Sequence, residues 1–213
     1  MNTRDMNTQK TGAGATLDHR PGDRRPDGLL GPGTLLLVVG PSGAGKDTLI
    51  DIARARFAGD GRVLFARRLV TRPAGMDEAH GTLNEAEFEA LRAQGRFPLF
   101  WRAHGLCYAL GPEVAQAIAE GGVVVANGSR ATLPEARARF ARVRVVEVTA
   151  PVAVRAGRLA ARGREDAADI EERLSRAPEV DVAPDLVIDN VGTPADGGER
   201  LGAFIAAELA ATE

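Results

Sequence analysis

Short hydrophobic runs alternate along this chain with segments whose apolar residues recur every three or four positions. Residues 35–39 and 123–126 are apolar at every position, which is typical of a strand buried on both faces of a parallel sheet. Similar runs predict strands at residues 62–66, 144–149 and 186–189. The segments with helical spacing predict helices at residues 47–56, 85–93, 112–120, 133–140, 152–161, 167–176 and 196–210.

Strands that alternate with helices predict an α/β fold of three layers, in which helices cover both faces of a parallel sheet. The ligand of such a fold binds at the carboxyl ends of the strands. Asn84 or Thr82 is suited to cap the second predicted helix, since either side chain accepts a hydrogen bond from a free backbone N–H. Residues 67–73 and the aromatic-rich residues 97–108 are expected to form a small additional sheet.

The first 33 residues are rich in Gly, Pro, Thr and charged side chains and contain few apolar ones. Such a segment cannot bury enough surface to offset its chain entropy, so we expect a disordered extension at 1–33 and one folded domain at 34–213. A formal net charge of −2 argues against nucleic acid as a partner. The apolar runs are too short for a membrane span or a signal peptide. The single cysteine, Cys107, excludes an internal disulfide and predicts a protein of the reducing cytoplasm. The sequence leaves open whether the protein forms a homodimer.

Residues 40–48 follow the first predicted strand and open the first predicted helix. Their G-x-x-x-x-G-K pattern is typical of the phosphate-binding loop, whose backbone N–H groups and helix dipole point at an anion. Lys46 is one of only two lysines among 27 basic residues, and a compact ammonium fits between two phosphoryl groups where a guanidinium does not. The alternative is a glycine-rich turn that happens to precede a lysine. We interpret the segment as a nucleoside triphosphate site formed by Gly40, Pro41, Ser42, Gly43, Ala44, Gly45, Lys46, Asp47 and Thr48.

Two arginine clusters lie outside this loop. Residues 158–176 are dense in arginine, which favours a mobile lid that holds a migrating phosphoryl group and excludes water. The alternative there is a solvated helix with ordinary charge pairs. Arg67, Arg68 and Arg72 favour a pocket for a phosphorylated acceptor, which Arg102 and Arg130 are candidates to join. The alternative for this second cluster is surface charge on an edge strand.

Several motifs together resemble the guanylate kinase branch of the nucleoside monophosphate kinases, and within it the ribose 1,5-bisphosphate phosphokinases. Besides the loop, they are Thr71-Arg-Pro73, Trp101-Arg-Ala-His-Gly-Leu-Cys-Tyr108, Asn127-Gly-Ser-Arg-Ala-Thr-Leu-Pro134 and Arg162-Gly-Arg-Glu165. The resemblance covers about residues 34–205. It implies a guanylate-kinase-like P-loop fold with an acceptor-binding insert at about 65–110 and a lid at about 155–176.

The resemblance also implies a reaction and residue roles. The family converts ribose 1,5-bisphosphate and ATP to 5-phospho-α-D-ribose 1-diphosphate, with Mg²⁺, in bacterial phosphonate breakdown. Lys46 would bridge the β- and γ-phosphates, and the lid arginines Arg162 and Arg173 would hold the migrating group. Asp47 and Thr48 are the candidate magnesium ligands. The residues implied at the acceptor are Arg68, Arg72, Tyr108, Asn127, Ser129 and Arg130.

Guanylate kinases recognise guanine with two carboxylates, at positions where ungapped alignment places Arg102 and Ser129 in this chain. An arginine cannot accept hydrogen bonds from guanine N–H groups, which disfavours GMP and favours an acceptor with a second phosphate. The alternatives are a guanylate or other nucleoside monophosphate kinase, a non-catalytic scaffold of guanylate kinase type, and a regulator that binds ATP without transfer. Asp47 is a departure, because most phosphate loops have Ser or Thr after the lysine.

Overall fold

The computed structural model describes residues 28–71, 80–103, 105–161 and 182–212. Its strands, in chain order, are β1 (Thr34–Val39), β2 (Val63–Phe65), β3 (Arg68–Val70), β4 (His80–Thr82), β5 (Leu99–Ala103), β6 (Leu106–Leu110), β7 (Val123–Asn127), β8 (Val143–Thr149) and β9 (Leu186–Asp189). Five of them form the central sheet, in the order β2-β7-β1-β8-β9, and every neighbouring pair is parallel. The predicted parallel sheet is confirmed.

The other four strands form a second sheet in the order β4-β3-β6-β5. Strands β5 and β6 pair antiparallel, as do β3 and β6, whereas β3 and β4 are parallel. This confirms the small additional sheet expected from residues 67–73 and 97–108. Strand β4 was not predicted, because its three residues include Gly81 and are too few to show a period-two pattern.

The helices are α1 (Lys46–Arg56), α2 (Glu85–Ala93), α3 (Pro112–Ala119), α4 (Leu133–Arg139), α5 (Val152–Ala161) and α6 (Pro194–Ala210). Each lies within two residues of its predicted bounds, and the helix predicted at 167–176 lies outside the described residues. Helix α2 begins at Asn84, whose side chain accepts from Glu87 N while the Glu87 carboxylate accepts from Asn84 N. Asn84 is therefore the cap, and the alternative cap Thr82 belongs to β4.

Strand β1 is buried at all six positions, with the two faces of the sheet packed against different helices. Leu35, Leu37 and Val39 face a cluster that includes residues of α3 and α4. Leu36 and Val38 face a second cluster, formed with α1 and α6. Burial on both faces explains why the strand has a continuous apolar run rather than an alternating one. Among the described residues no helix has the length and apolar character needed to cross a bilayer.

The structure places folded residues before residue 34, the position at which the folded domain was expected to begin. Leu30 is only 4% exposed and belongs to the core cluster beside β1. Its backbone forms a parallel bridge with Phe140, in which Leu30 N donates to Arg139 O and Ala141 N donates to Leu30 O. The folded part therefore includes residues before 34, and the glycines and proline around Leu30 concealed this contact in the sequence. Residues 1–27 lie outside the described residues.

Candidate active site

Three glycines shape the loop between β1 and α1. Gly40, Gly43 and Gly45 have φ angles of 141°, 79° and 95°, values that residues with a β-carbon rarely adopt. A β-carbon on Gly40 would lie 2.1 Å from Val148 O, and one on Gly45 would lie 2.4 Å from Asn190 Nδ2. The loop is therefore pressed against β8 and against the residue that follows β9. The glycine spacing is a packing requirement as well as a conformational one.

Two side chains, those of Asn190 and Arg158, donate hydrogen bonds to the backbone of the loop. The Ala44 carbonyl accepts a hydrogen bond from Asn190 Nδ2 at 2.8 Å and from Arg158 Nη1 at 3.3 Å. Arg158 Nη2 also donates to Asn190 O at 2.9 Å, so the three residues form one network. Asn190 was not predicted as a site residue, although a polar residue directly after a predicted strand was the available signal. Arg158 was predicted only as part of the lid cluster.

Lys46 begins α1 and reaches back over the loop. Its ammonium donates to Gly40 O at 2.8 Å and to Pro41 O at 3.2 Å. The residue before it, Gly45, is the N-cap and has no side chain to satisfy the first N–H groups of the helix. These backbone donors, the positive end of the helix dipole and the ammonium therefore converge at one place, which suits a phosphate chain.

Asp47 connects the loop to two other elements. Its Oδ1 accepts a hydrogen bond from Asn127 Nδ2 at 2.6 Å, at the end of β7. The same oxygen lies 3.8 Å from Arg68 Nη2, on β3 of the small sheet. Asn127 is buried, whereas the side chain of Asp47 is 54% exposed and Thr48 is also exposed. The structure thus brings three of the predicted site residues, Asp47, Asn127 and Arg68, together around one carboxylate.

Arg68, Tyr108 and Trp101 form a wall on one face of the small sheet. The guanidinium of Arg68 lies 5.9 Å from the centre of the Tyr108 ring, and the Tyr108 and Trp101 rings are stacked with centres 5.5 Å apart. Side chains alternate across a strand, so Cys107 and Ala109 lie on the opposite face, where they pack against Phe88 of α2. The wall fixes Arg68 close to the loop.

Arg130 and Ser129 follow β7, and both have protein partners. Arg130 Nη2 lies 2.6 Å from Glu147 Oε1 of β8, and the side chains of this pair are only 15% and 17% exposed. Ser129 caps the short 3₁₀ helix at Arg130–Thr132, and its Oγ accepts a hydrogen bond from Ala131 N at 3.3 Å. Glu147 was missed in the sequence, since a lone carboxylate in a strand pattern gives no motif. The ion pair with Glu147 uses one N–H group of the Arg130 guanidinium, which the sequence had assigned to the acceptor.

Arg102 does not join this cluster, contrary to the expectation from the sequence. Its register partner is Cys107, so it lies on the face of the small sheet opposite Tyr108, and its Nη2 bonds Glu89 Oε1 of α2 at 3.0 Å. The hydrogen bond from Arg92, together with that from Arg102, lowers the pKa of the Glu89 carboxyl. Strand alternation gives the physical reason, because a shift of one residue along β5 moves a side chain to the other face. Among the predicted site residues, Arg72, Arg162 and Arg173 lie outside the described ones.

The oxygen atoms around Asp47 suit a hard divalent cation. Asp47 supplies a carboxylate and Thr48 a hydroxyl, and magnesium bound with nucleotides takes one or two such ligands and completes its shell with phosphate and water. In the parts of the chain that the structure covers, no group of three or more His, Cys, Asp or Glu side chains could hold a metal without such help. The site therefore fits a magnesium ion brought with a nucleotide.

The phosphate-binding loop, the parallel sheet and the added four-stranded sheet define a P-loop protein with a guanylate-kinase-like fold. Guanylate kinase from Anaplasma phagocytophilum superimposes with a TM-score of 0.60 over 83% of this chain and 86% of that one, at 17% identity. No protein-family model matches the chain.

The curated relatives identify the family. The chain is 52% identical over 176 residues to the ribose 1,5-bisphosphate phosphokinase of Methylobacterium radiotolerans, covering 83% of this chain and 99% of that protein. It is 48% identical to the protein of the same name from Rhodopseudomonas palustris, covering 78% and 84%, and 46% identical to that from Pseudofrankia inefficax, covering 81% and 90%. The chain belongs to the ribose 1,5-bisphosphate phosphokinase family and is a kinase.

Proposed function

We propose that this protein transfers the γ-phosphoryl group of ATP to the anomeric phosphate of ribose 1,5-bisphosphate, giving 5-phospho-α-D-ribose 1-diphosphate and ADP. The observation that carries the proposal is the meeting of a phosphate loop and an arginine wall at Asp47, with Arg68 Nη2 only 3.8 Å from its carboxylate. A donor and a phosphorylated acceptor bound on either side of that carboxylate would be neighbours. The family relation supplies the identity of the acceptor.

The transfer requires no covalent bond between the protein and the substrates. The attacking oxygen belongs to a phosphate that is already ionised near neutral pH, so no general base is needed. Catalysis then consists of positioning and of stabilising the charge on the migrating group. Backbone N–H groups of residues 42–46 hold the donor's β-phosphate, and Lys46 moves from the Gly40 and Pro41 carbonyls to bridge the β- and γ-phosphates. Magnesium near Asp47 and Thr48 would neutralise the same oxygens.

Arg68, Arg72 and Tyr108 are assigned to one acceptor phosphate. Ser129 and Arg130 are assigned to the sugar hydroxyls or the second phosphate, with Glu147 setting the orientation of Arg130. Arg162 and Arg173 are assigned to the migrating phosphoryl group. The reaction is assigned to the cytoplasm and to phosphonate breakdown, and its small-molecule substrates make nucleic acid and membrane unnecessary as partners.

A coupled assay for ADP release tests the activity. Purified enzyme with ATP and Mg²⁺ is offered ribose 1,5-bisphosphate, ribose 5-phosphate, GMP or no acceptor. We expect rapid ADP release with ribose 1,5-bisphosphate alone, and a diphosphate signal in the ³¹P NMR spectrum of the product. Rapid turnover of GMP with none of the bisphosphate would favour the nucleoside monophosphate kinase alternative. Equal ADP release in every mixture would indicate an ATPase without an acceptor.

Removing the guanidinium of Arg68 is expected to weaken binding of the acceptor more than binding of ATP. Arg68→Ala should raise the KM for ribose 1,5-bisphosphate by about tenfold or more, because a charge-assisted hydrogen bond to phosphate is lost. The KM for ATP should change by less than about threefold, since ATP is held by the loop. Arg102→Ala is the matched control: it removes an arginine from the other face of the same sheet and should leave both constants unchanged. Equal changes in the two arginine variants would contradict the assignment of the wall.

A lid arginine should act on the chemical step. Arg162→Ala is expected to lower kcat by about a hundredfold, because the stabilisation of charge on the migrating group is lost in the transition state. Steady-state kinetics with saturating ATP and acceptor measure the change. A rise in KM at unchanged kcat would show that Arg162 binds a substrate in its ground state and has no special role in transfer.

A further inference from the structure

Asp47 and Asn127 form a pair whose chemistry is reversed relative to the usual phosphate loop. In most P-loop NTPases a Ser or Thr follows the lysine and binds magnesium, and an Asp on another strand completes the site. In this protein the residue after Lys46 is the carboxylate. The neighbouring strand β7, which is hydrogen-bonded to β1, ends in the neutral amide of Asn127. The acidic group is therefore on the helix and its neutral partner is on the strand.

The geometry shows that Asn127 is the fixed member of the pair and that Asp47 is the accessible one. Asn127 is 7% exposed, and it is fixed by its register opposite Val38 in the centre of the sheet. It donates from Nδ2 to Asp47 Oδ1 at 2.6 Å, while the Asp47 side chain is 54% exposed at the mouth of the loop. Asn127 Oδ1 is buried and has no hydrogen-bond partner among the described residues. Asn127 is thus a rigid donor behind a carboxylate that ligands can reach.

Electrostatics explains why an amide suits this position. A second carboxylate in the place of the Asn127 amide, 2.6 Å from Asp47 Oδ1, would repel the Asp47 carboxylate. An amide donor instead forms a hydrogen bond with the Asp47 carboxylate and selects one of its rotamers. Groups behind a ligating side chain act in this way, by fixing its direction before the metal arrives.

We propose that Asn127 is a positioning residue, which holds Asp47 as the acidic protein ligand for the magnesium ion of the bound nucleotide. The inference deepens the proposed function and rests on its use of a magnesium nucleotide. It also gives Asn127 a role on the donor side, in place of the sugar contact that the family resemblance implied.

Binding of Mn²⁺ to the enzyme–ADP complex, followed by electron paramagnetic resonance without acceptor, tests the proposal. Asn127→Ala is expected to weaken Mn²⁺ binding by about tenfold, the usual effect of removing a group behind a metal ligand. Asp47→Ala should weaken it at least as much. The double variant should bind Mn²⁺ no more weakly than Asp47→Ala, because Asn127 acts only through Asp47. Additive losses, or an unchanged affinity in Asn127→Ala, would overturn the proposal.

Two controls separate positioning from general damage to the fold. The affinity for ADP in metal-free buffer should be the same in Asn127→Ala as in the wild type, because the loop N–H groups and Asp47 remain. Asn84→Ala removes another asparagine at an element end, the cap of α2, whose side chain accepts from Glu87 N, and should leave Mn²⁺ binding unchanged. A comparable loss of Mn²⁺ affinity in Asn84→Ala would overturn the specific role of Asn127.

Exchanging the two side-chain types gives a rescue test. Asp47→Ser removes the carboxylate, and Asp47→Ser with Asn127→Asp restores the usual order of hydroxyl and acid. The double exchange should bind Mn²⁺ about tenfold more tightly than Asp47→Ser alone, and equal affinities would overturn the reversed pairing. Wild-type enzyme that binds no Mn²⁺ with ADP would contradict the proposed function itself. Wild-type-like binding by Asn127→Ala would overturn only this inference.

Discussion

Lys46→Met is expected to lower kcat by about a thousandfold or more, because the ammonium that bridges two phosphates in the transition state is lost. Methionine keeps a flexible apolar stem of similar length, so the loop should retain its packing. The Lys46 ammonium bonds the Gly40 and Pro41 carbonyls, and both of these residues are only partly buried, so water can replace the donor. The loss should therefore appear in turnover and not in folding.

The measurement is single-turnover ADP formation from ATP and ribose 1,5-bisphosphate, with the unfolding temperature recorded for each variant. Lys10→Met is the matched control, since Lys10 is the only other lysine and belongs to the predicted extension. It should leave the rate unchanged. Near-normal turnover by Lys46→Met would refute the assignment of the loop. Loss of the folded state would instead show that the lysine supports the loop structure.

Gly40→Ala is expected to have the largest effect on stability, lowering the free energy of unfolding by about 3 kcal/mol or more. Two independent costs combine at this position. The backbone has a φ of 141°, and the added β-carbon would lie 2.1 Å from the backbone oxygen of Val148. A backbone oxygen cannot rotate away as the end of a side chain can. Strands β1 and β8 would have to separate where they are paired in register, with Val39 opposite Glu147.

Urea unfolding without nucleotide measures this change. Gly157→Ala is the matched control, because Gly157 lies in α5 and has no atom within 4 Å of the place a β-carbon would take. Alanine there should stabilise the protein by up to about 1 kcal/mol, through its higher helix propensity. A midpoint for Gly40→Ala equal to that of the wild type would mean that the close approach to Val148 does not exist in solution.

Local patterns were enough for most of the fold. The apolar runs at β1 and β7 have no polar face, which occurs only when both sides of a strand are covered, so the parallel sheet follows from the residues alone. Helix ends were also accessible, since Asn84 and Glu87 form a capping box that depends on neighbours in sequence. Leu30 could not be placed in this way. Its burial depends on Phe140, more than a hundred positions away.

The residues of the candidate site show the same division, between those recognised from neighbours in sequence and those placed by distant contacts. The loop motif identified Lys46 because its chemistry depends on a run of neighbouring residues. Arg102 was misplaced, since the face on which a strand residue lies depends on the register with β6. Glu147 and Asn190 were missed because neither belongs to a motif, and each gains its role from a partner distant in sequence: Arg130 for the first and the Ala44 carbonyl for the second.

By itself the sequence determined the class of fold, the phosphate loop and the family, because each is encoded in short segments whose residue types are constrained by local chemistry. Only the tertiary structure decided which charges face one another. It joined Asp47 to Asn127 and Arg68, paired Arg130 with Glu147 and turned Arg102 away from the site. The physical reason is that electrostatic and hydrogen-bond interactions act over a few ångströms in space, whatever the separation along the chain.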